Sequence, residues 1–261
     1  MELPIYQVDA FTNRLFSGNP AAVCPLPRWL RDGTMQAIAA ENNLAETAFF
    51  LTEGEGFRLR WFTPTVEVDL CGHATLASAF VISQLLEPGR REMHFETRSG
   101  RLTVTRADEL FVLDFPLRPA VPVENPAVGA AMGRNPRELL ASVPYLAVYG
   151  SAEEVAALRP DMAAVAALDR DGVLATAPGV DDCDYVARYF APGAGIPEDP
   201  ATGSAQCVLV PFWASRLQRR KLTGRQISER GGEFLCELAG ERVRIAGQAV
   251  CYLKGSIFVE D

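Results

Sequence analysis

Phe57, Leu59 and Trp61 alternate with Arg58 and Arg60, the two-residue period of a strand that buries one face. Residues 95–115 alternate in the same way around turn residues at Ser99-Gly100 and Asp108-Glu109, which predicts antiparallel hairpins. Two stretches break this pattern. Residues 72–86 and 203–217 are apolar on nearly every side, through Leu76, Ala77, Phe80 and Val81 in one and Val208, Leu209, Phe212 and Trp213 in the other. A helix that is apolar all round belongs inside a core, so each stretch predicts one buried helix. Pro211 falls inside the second and predicts a kink or interruption there. A further helix is expected over residues 32–42, with Asp32 as its cap and Met35, Ile38 and Ala39 on one face.

These elements recur. Arg60-Trp61-Phe62-Thr63-Pro64 returns as Arg188-Tyr189-Phe190-Ala191-Pro192, offset by 128 residues, and Gly72-His73-Ala74-Thr75 as Gly203-Ser204-Ala205-Gln206, offset by 131. Arg98-Ser99-Gly100 matches Arg230-Gly231-Gly232, and Glu109 matches Glu241, both at 132. Ordered landmarks with so small a drift read as an internal duplication. The expectation is an α+β chain of two pseudo-twofold related lobes, each a barrel-like antiparallel or mixed sheet wrapped around its buried helix. The amino-terminal lobe is placed at 1–118, completed by the strand-like 248–261, and the carboxy-terminal lobe at 119–247. Pro116, Pro119, Pro122 and Pro126 mark the connector.

Composition narrows the function classes. Hydrophobic residues make up 48% and charged residues 22% of the chain, the balance of a soluble globular protein. A net charge of −8 argues against a nucleic-acid partner, and no apolar run is long enough to span a membrane. Six cysteines without CxxC pairs read as reduced thiols and lead us to expect a cytoplasmic location. With only His73 and His94 and no ligand spacing, no metal site is expected. No G-x-G-x-x-G follows a strand, so no cofactor is expected either.

The starts of the two buried helices offer backbone N–H groups and the positive end of a dipole, a setting that suits a small carboxylate-bearing substrate. Glu46 precedes an apolar strand-like run, where burial lets one carboxyl take up a proton at one carbon and return it at another. His73 is one residue into a helix start, where the dipole favours the neutral imidazole. Asp199, Thr202 and Ser204 can cap the second helix or meet a ligand.

Gly18-Asn19-Pro20, Ala45-Glu46-Thr47-Ala48-Phe49, Phe62-Thr63-Pro64, Glu67 to Thr75 (EVDLCGHAT) and Glu198 to Ala205 (EDPATGSA) together resemble the PhzF, or phenazine-biosynthesis-like, family over essentially the whole chain. The resemblance implies a diaminopimelate-epimerase-like fold and a cofactor-independent isomerase that acts on a small cyclic or unsaturated amino or hydroxy acid. It implies Glu46, His73 and Asp199 as catalytic residues and Asn19, Gly72, Gly203 and Ser204 as substrate-binding ones, in a homodimer. Two other readings stay open. Related racemases pair two thiols, but here Thr202 stands opposite Cys71 and the nearest thiol, Cys207, is a turn further on. Racemisation or epimerisation would then pair Cys71 with an unlike base, and the third reading is a small-acid binder without catalysis.

Overall fold

The computed structural model describes residues 1–260, and the chain divides into two compact units, Met1–Asp114 with Ala246–Asp261, and Phe115–Ile245. In the first, β1 (Glu2–Ala10) pairs antiparallel with β2 (Asn19–Pro25), which lies parallel to β3 (Glu46–Glu53). The parallel pair needs a crossover, and α1 (Asp32–Asn42) supplies it. β4 (Gly56–Phe62) continues from β3 as a hairpin, with Phe50 opposite Leu59, and holds β5 (Glu67–Val68) at one end. It lies parallel to β6 (Glu92–Thr97), after which β7 (Gly100–Ala107) and β8 (Leu110–Pro116) run as antiparallel hairpins.

The carboxy-terminal strand, β18 (Ala249–Phe258), pairs antiparallel with β1 from Glu2 opposite Phe258 to Ala10 opposite Ala249. Inside this mixed sheet sits α2 (Gly72–Phe80), with every residue from Gly72 to Ala79 buried, packed against β1, β2, β3, β7 and β18. A second apolar cluster gathers Leu3, Ile5, Phe49 and Phe62 under Met35, Ile38 and Ala39 of α1.

Two local expectations need correction here. Asp32 does not cap α1: the cap position is Arg31, without a side-chain bond, and the Asp32 carboxylate instead accepts from Arg60 Nη1 at 2.9 Å. The helix expected over 72–86 changes geometry at Val81 and finishes as a π-helical turn, Val81–Leu86, closed by Glu87 N–H on the Ile82 carbonyl.

In the second unit, β9 (Val121–Pro122) pairs antiparallel with β10 (Glu138–Ala141), which pairs antiparallel with β11 (Tyr145–Val148). β11 is parallel to β12 (Val173–Pro178), itself antiparallel to β13 (Tyr185–Ala191). β13 then pairs antiparallel with β14 (Ile196–Asp199) and parallel with β15 (Lys221–Gln226). β15 forms a hairpin with β16 (Gly232–Ala239), followed by β17 (Arg242–Gly247). Short helices α3 (Pro126–Ala131), α4 (Ala152–Ala156) and α5 (Met162–Ala166) cover a core built on Tyr149, Val173, Ala175 and Phe190.

The buried helix of this unit, α6 (Gln206–Leu217), packs on β15 and β16. It starts three residues later than expected, because residues 203–205 form a tighter turn whose carbonyls accept the N–H groups of Gln206, Cys207 and Val208, three residues on. Pro211 does not interrupt it. Proline leaves the carbonyl four residues earlier without its helical donor, and that group, Cys207 C=O, accepts the Arg118 N–H at 2.8 Å.

The repeated Arg-aromatic-Phe segments make matching contacts within their own units. Arg60 grips Glu67 through Nε and Nη2, both at 2.7 Å, and lies 5.2 Å over the Phe62 ring. Arg188 grips Glu198 at 2.7 and 2.8 Å and lies 4.8 Å over Phe190. Four residues into each buried stretch, the Thr75 hydroxyl and the Gln206 amide bond back to the carbonyls of Cys71 and Thr202.

Candidate active site

Parallel pairing sets Ala21 beside Glu46, so Asn19, two residues earlier on β2, reaches the same end of the sheet as the start of β3. Asn19 is placed by Gly18, whose φ of +65° suits glycine and whose missing Cβ would stand 2.2 Å from the Ala10 carbonyl oxygen. α2 begins just after Cys71, which puts His73 in its first turn. The result is a buried cluster. Asn19, Glu46, Cys71 and His73 are 0%, 8%, 5% and 5% exposed.

The His73 ring bridges its neighbours. Its Nε2 lies 3.0 Å from Glu46 Oε2, and its Nδ1 lies 3.2 Å from Asn19 Nδ2 and 3.5 Å from Cys71 Sγ. The Nε2 and Oε2 atoms are close but poorly aligned, and neither has a hydrogen-bond partner of good geometry among the described residues. Burial works against the imidazolium, but the acceptor atoms of Cys71 and Glu46 beside the ring outweigh it and hold the His73 pKa well above 6.5. This is opposite to the neutral imidazole expected from the helix dipole alone. The Cys71 thiol is pushed up to about 11, first by burial and then by the Glu46 charge, and is protonated at neutral pH.

Asp199, Gly203 and Ser204 belong to the second unit. The Asp199 carboxylate accepts from the Thr202 hydroxyl at 2.5 Å, and Gln226 fastens this loop: its Oε1 accepts the Thr202 N–H at 2.9 Å and its Nε2 donates to the Asp199 carbonyl at 2.5 Å. Gln226 is 1% exposed. The chain continues through Gln206, whose Oε1 accepts from the Tyr185 hydroxyl at 2.6 Å, with Tyr185 stacked on Trp213. Ser204 is half-buried and, with Arg118, Asp171 and Tyr189, lines a cavity of about 130 Å³. Sequence reasoning missed Gln226 and Arg118, each remote in the chain from any motif. It also missed that Cys71 and Asn19 share one ring nitrogen of His73.

Residues 8–255 match the model of the phenazine biosynthesis-like protein family, PhzC-PhzF. An uncharacterized isomerase of Pseudomonas aeruginosa is 52% identical over 260 residues, covering 98% of this chain and 99% of the relative. The crystal structure of a PhzF-family protein from Enterococcus faecalis superposes with a TM-score of 0.95 at 45% identity, covering 99% of this chain and all of that one. A probable proline racemase from Agrobacterium radiobacter, solved with bound carbonate, shares the fold at a TM-score of 0.60 and 15% identity, covering 99% of this chain and 93% of that one. The α+β architecture is therefore of the diaminopimelate-epimerase-like kind found in racemases and epimerases. On the length of the match and the identity to its relatives, the chain belongs to the PhzC-PhzF family of phenazine biosynthesis-like proteins.

Proposed function

We propose that this isomerase moves a proton between carbons of a small cyclic or unsaturated amino or hydroxy acid, with Glu46 alone taking up and returning the proton. The observation that carries the reading is the placement of Glu46, a carboxyl almost withdrawn from water and set 3.0 Å from a histidine whose ring is fixed from its other side. As a carboxylate, Glu46 is held by the charge of His73 and has an oxygen without an aligned donor, ready for a C–H proton. Returning that proton at a second carbon restores the ion pair, which closes the cycle without a second base. Asn19 and Cys71 act as positioning residues for the imidazole. No side chain caps α2, so the first-turn N–H groups of Gly72 and His73 are suited to the substrate carboxylate.

The spacing disfavours inversion by Cys71 and Glu46. A carbon approached from both faces lies about 3–3.5 Å from each base, which separates the two bases by about 6–7 Å. Here a Glu46 oxygen and Cys71 Sγ lie within 4.8 Å of each other. Both groups address the substrate from one side.

The test is the fate of a label at the transferred position. In a single turnover of substrate deuterated at the carbon that is deprotonated, one-base transfer carries part of the deuterium into the product at the second carbon. Two unlike bases deliver a solvent proton there instead, so a product free of label from the first turnover overturns the one-base reading.

A further inference from the structure

Glu46, Cys71 and His73 form a cluster whose chemistry exceeds proton transfer. One atom from each, a carboxylate oxygen, a thiol sulfur and an imidazole nitrogen, lie within 4.8 Å of one another, and all three residues are buried. Two polar atoms of the cluster, Glu46 Oε2 and His73 Nε2, lack an aligned partner among the described residues. A carboxylate oxygen at such depth, and the ring nitrogen once its proton has left, leave attraction for a cation unused. The donors come from the start of β3, the residue before α2 and the first turn of α2, so no short ligand spacing announces them in the sequence.

We propose that these three side chains bind a soft divalent cation of the Zn²⁺ type, which shuts off proton transfer by occupying its base. Bond lengths of about 2.0–2.3 Å place tetrahedral ligands about 3.4–3.6 Å apart. The 3.0 Å Nε2–Oε2 and 3.5 Å Nδ1–Sγ separations start from different ring nitrogens, of which one metal takes one, so the remaining edges, within 4.8 Å, must contract by about 1 Å to meet this spacing. Three protein ligands leave a fourth position for water or a substrate carboxylate, the pattern of an open zinc site. Thiolate and imidazole select Zn²⁺ and its neighbours over Mg²⁺ and Ca²⁺. On binding, the metal–sulfur and metal–nitrogen bonds form as the Cys71 S–H bond and a His73 ring N–H bond break, and both protons pass to bulk buffer. The metal then sits on the Glu46 carboxylate, so metal binding and deprotonation of substrate are mutually exclusive. This inhibitory half rests on the function proposed above, whereas binding itself does not.

Co²⁺, whose thiolate complexes absorb in the near ultraviolet, is titrated into the metal-free full chain and then displaced by Zn²⁺. The expected result is a charge-transfer band saturating at one equivalent in the wild type and in a Cys251→Ser control, absent from Cys71→Ser. Glu46→Gln keeps the band and weakens binding about 10-fold or more, since loss even of outer-sphere partners costs about 10–100-fold. Zn²⁺ also raises the melting temperature of the wild type and leaves that of Cys71→Ser unchanged, read beside the metal-free melting curves that show both chains folded. No band, a band undiminished in Cys71→Ser, or an equal response to Mg²⁺ overturns the site. Solvent exchange into substrate should fall with zinc occupancy and return on chelation, and undiminished exchange at full occupancy overturns the inhibitory role. If metal-free enzyme exchanges no acid of the proposed class, the function reading fails while absorption and melting still decide the metal site.

Discussion

Cys24 and Cys236 lie deep in their units, and burial pushes both thiols from 9.0 up to about 12. Between those values the folded chain keeps protons that the unfolded chain has released, so stability is full below about pH 9 and declines as pH rises toward 12. Each thiol contributes a slope of at most about 1.4 kcal/mol per pH unit. Urea unfolding at pH 8.5 and 10.5 should show this loss, and Cys24→Ala with Cys236→Ala should flatten the pH dependence whatever it does to absolute stability. An unchanged slope would contradict the assignment. Other single residues were legible to differing degrees. Glu46, His73 and Asp199 stand in motifs of unusual composition, and Glu46 and His73 meet in one cluster. The grip of Gln226 on the Asp199 loop was not legible, because a polar residue at the end of an alternating strand gives no hint of what its amide touches.

The strands follow alternation closely, since a hairpin such as β6–β7 needs only local periodicity and a turn to fix its register. Helix ends were read less well. The π-helical finish of α2 and the tight turn before α6 arise from how the backbone closes against surrounding strands, which periodicity does not encode. Pro211 is the clearest case: propensity foretells a break, but the orphaned Cys207 carbonyl finds Arg118 N–H, 89 residues earlier in the chain. Replacing a proline inside a helix ordinarily gains about 3 kcal/mol. Pro211→Ala should change stability by less than about 1 kcal/mol, because the new N–H must compete for a carbonyl already bonded. A gain near 3 kcal/mol in urea unfolding would show that the proline is a strained break after all.

The first unit is discontinuous in sequence, drawing its β18 from the far end of the chain, with Ile257 and Val259 packed on the cluster that holds Leu3 and Ile5. Deleting residues 249–261 strips β1 of one partner and should lower the melting temperature by about 5–10 °C, the effect of a few kcal/mol in a domain of this size. An unchanged melting curve would show that β18 adds nothing to that core. The α+β class was legible because two all-apolar helical stretches amid alternating strands leave few other architectures, and the family because its motifs run the length of the chain. The matched Arg–Glu and Arg–Phe contacts of Arg60 and Arg188 support an internal duplication, which we retain as a proposal. What composition and pattern could not supply is the substrate, which depends on side chains brought together only by folding. The proposed function therefore turns on one carboxyl. In D₂O, with small cyclic and unsaturated amino and hydroxy acids followed by mass, the wild type should incorporate deuterium into its substrate, and Glu46→Gln should slow this by about 10²–10⁴-fold with an unaltered melting temperature; exchange at the wild-type rate in that variant would contradict the account.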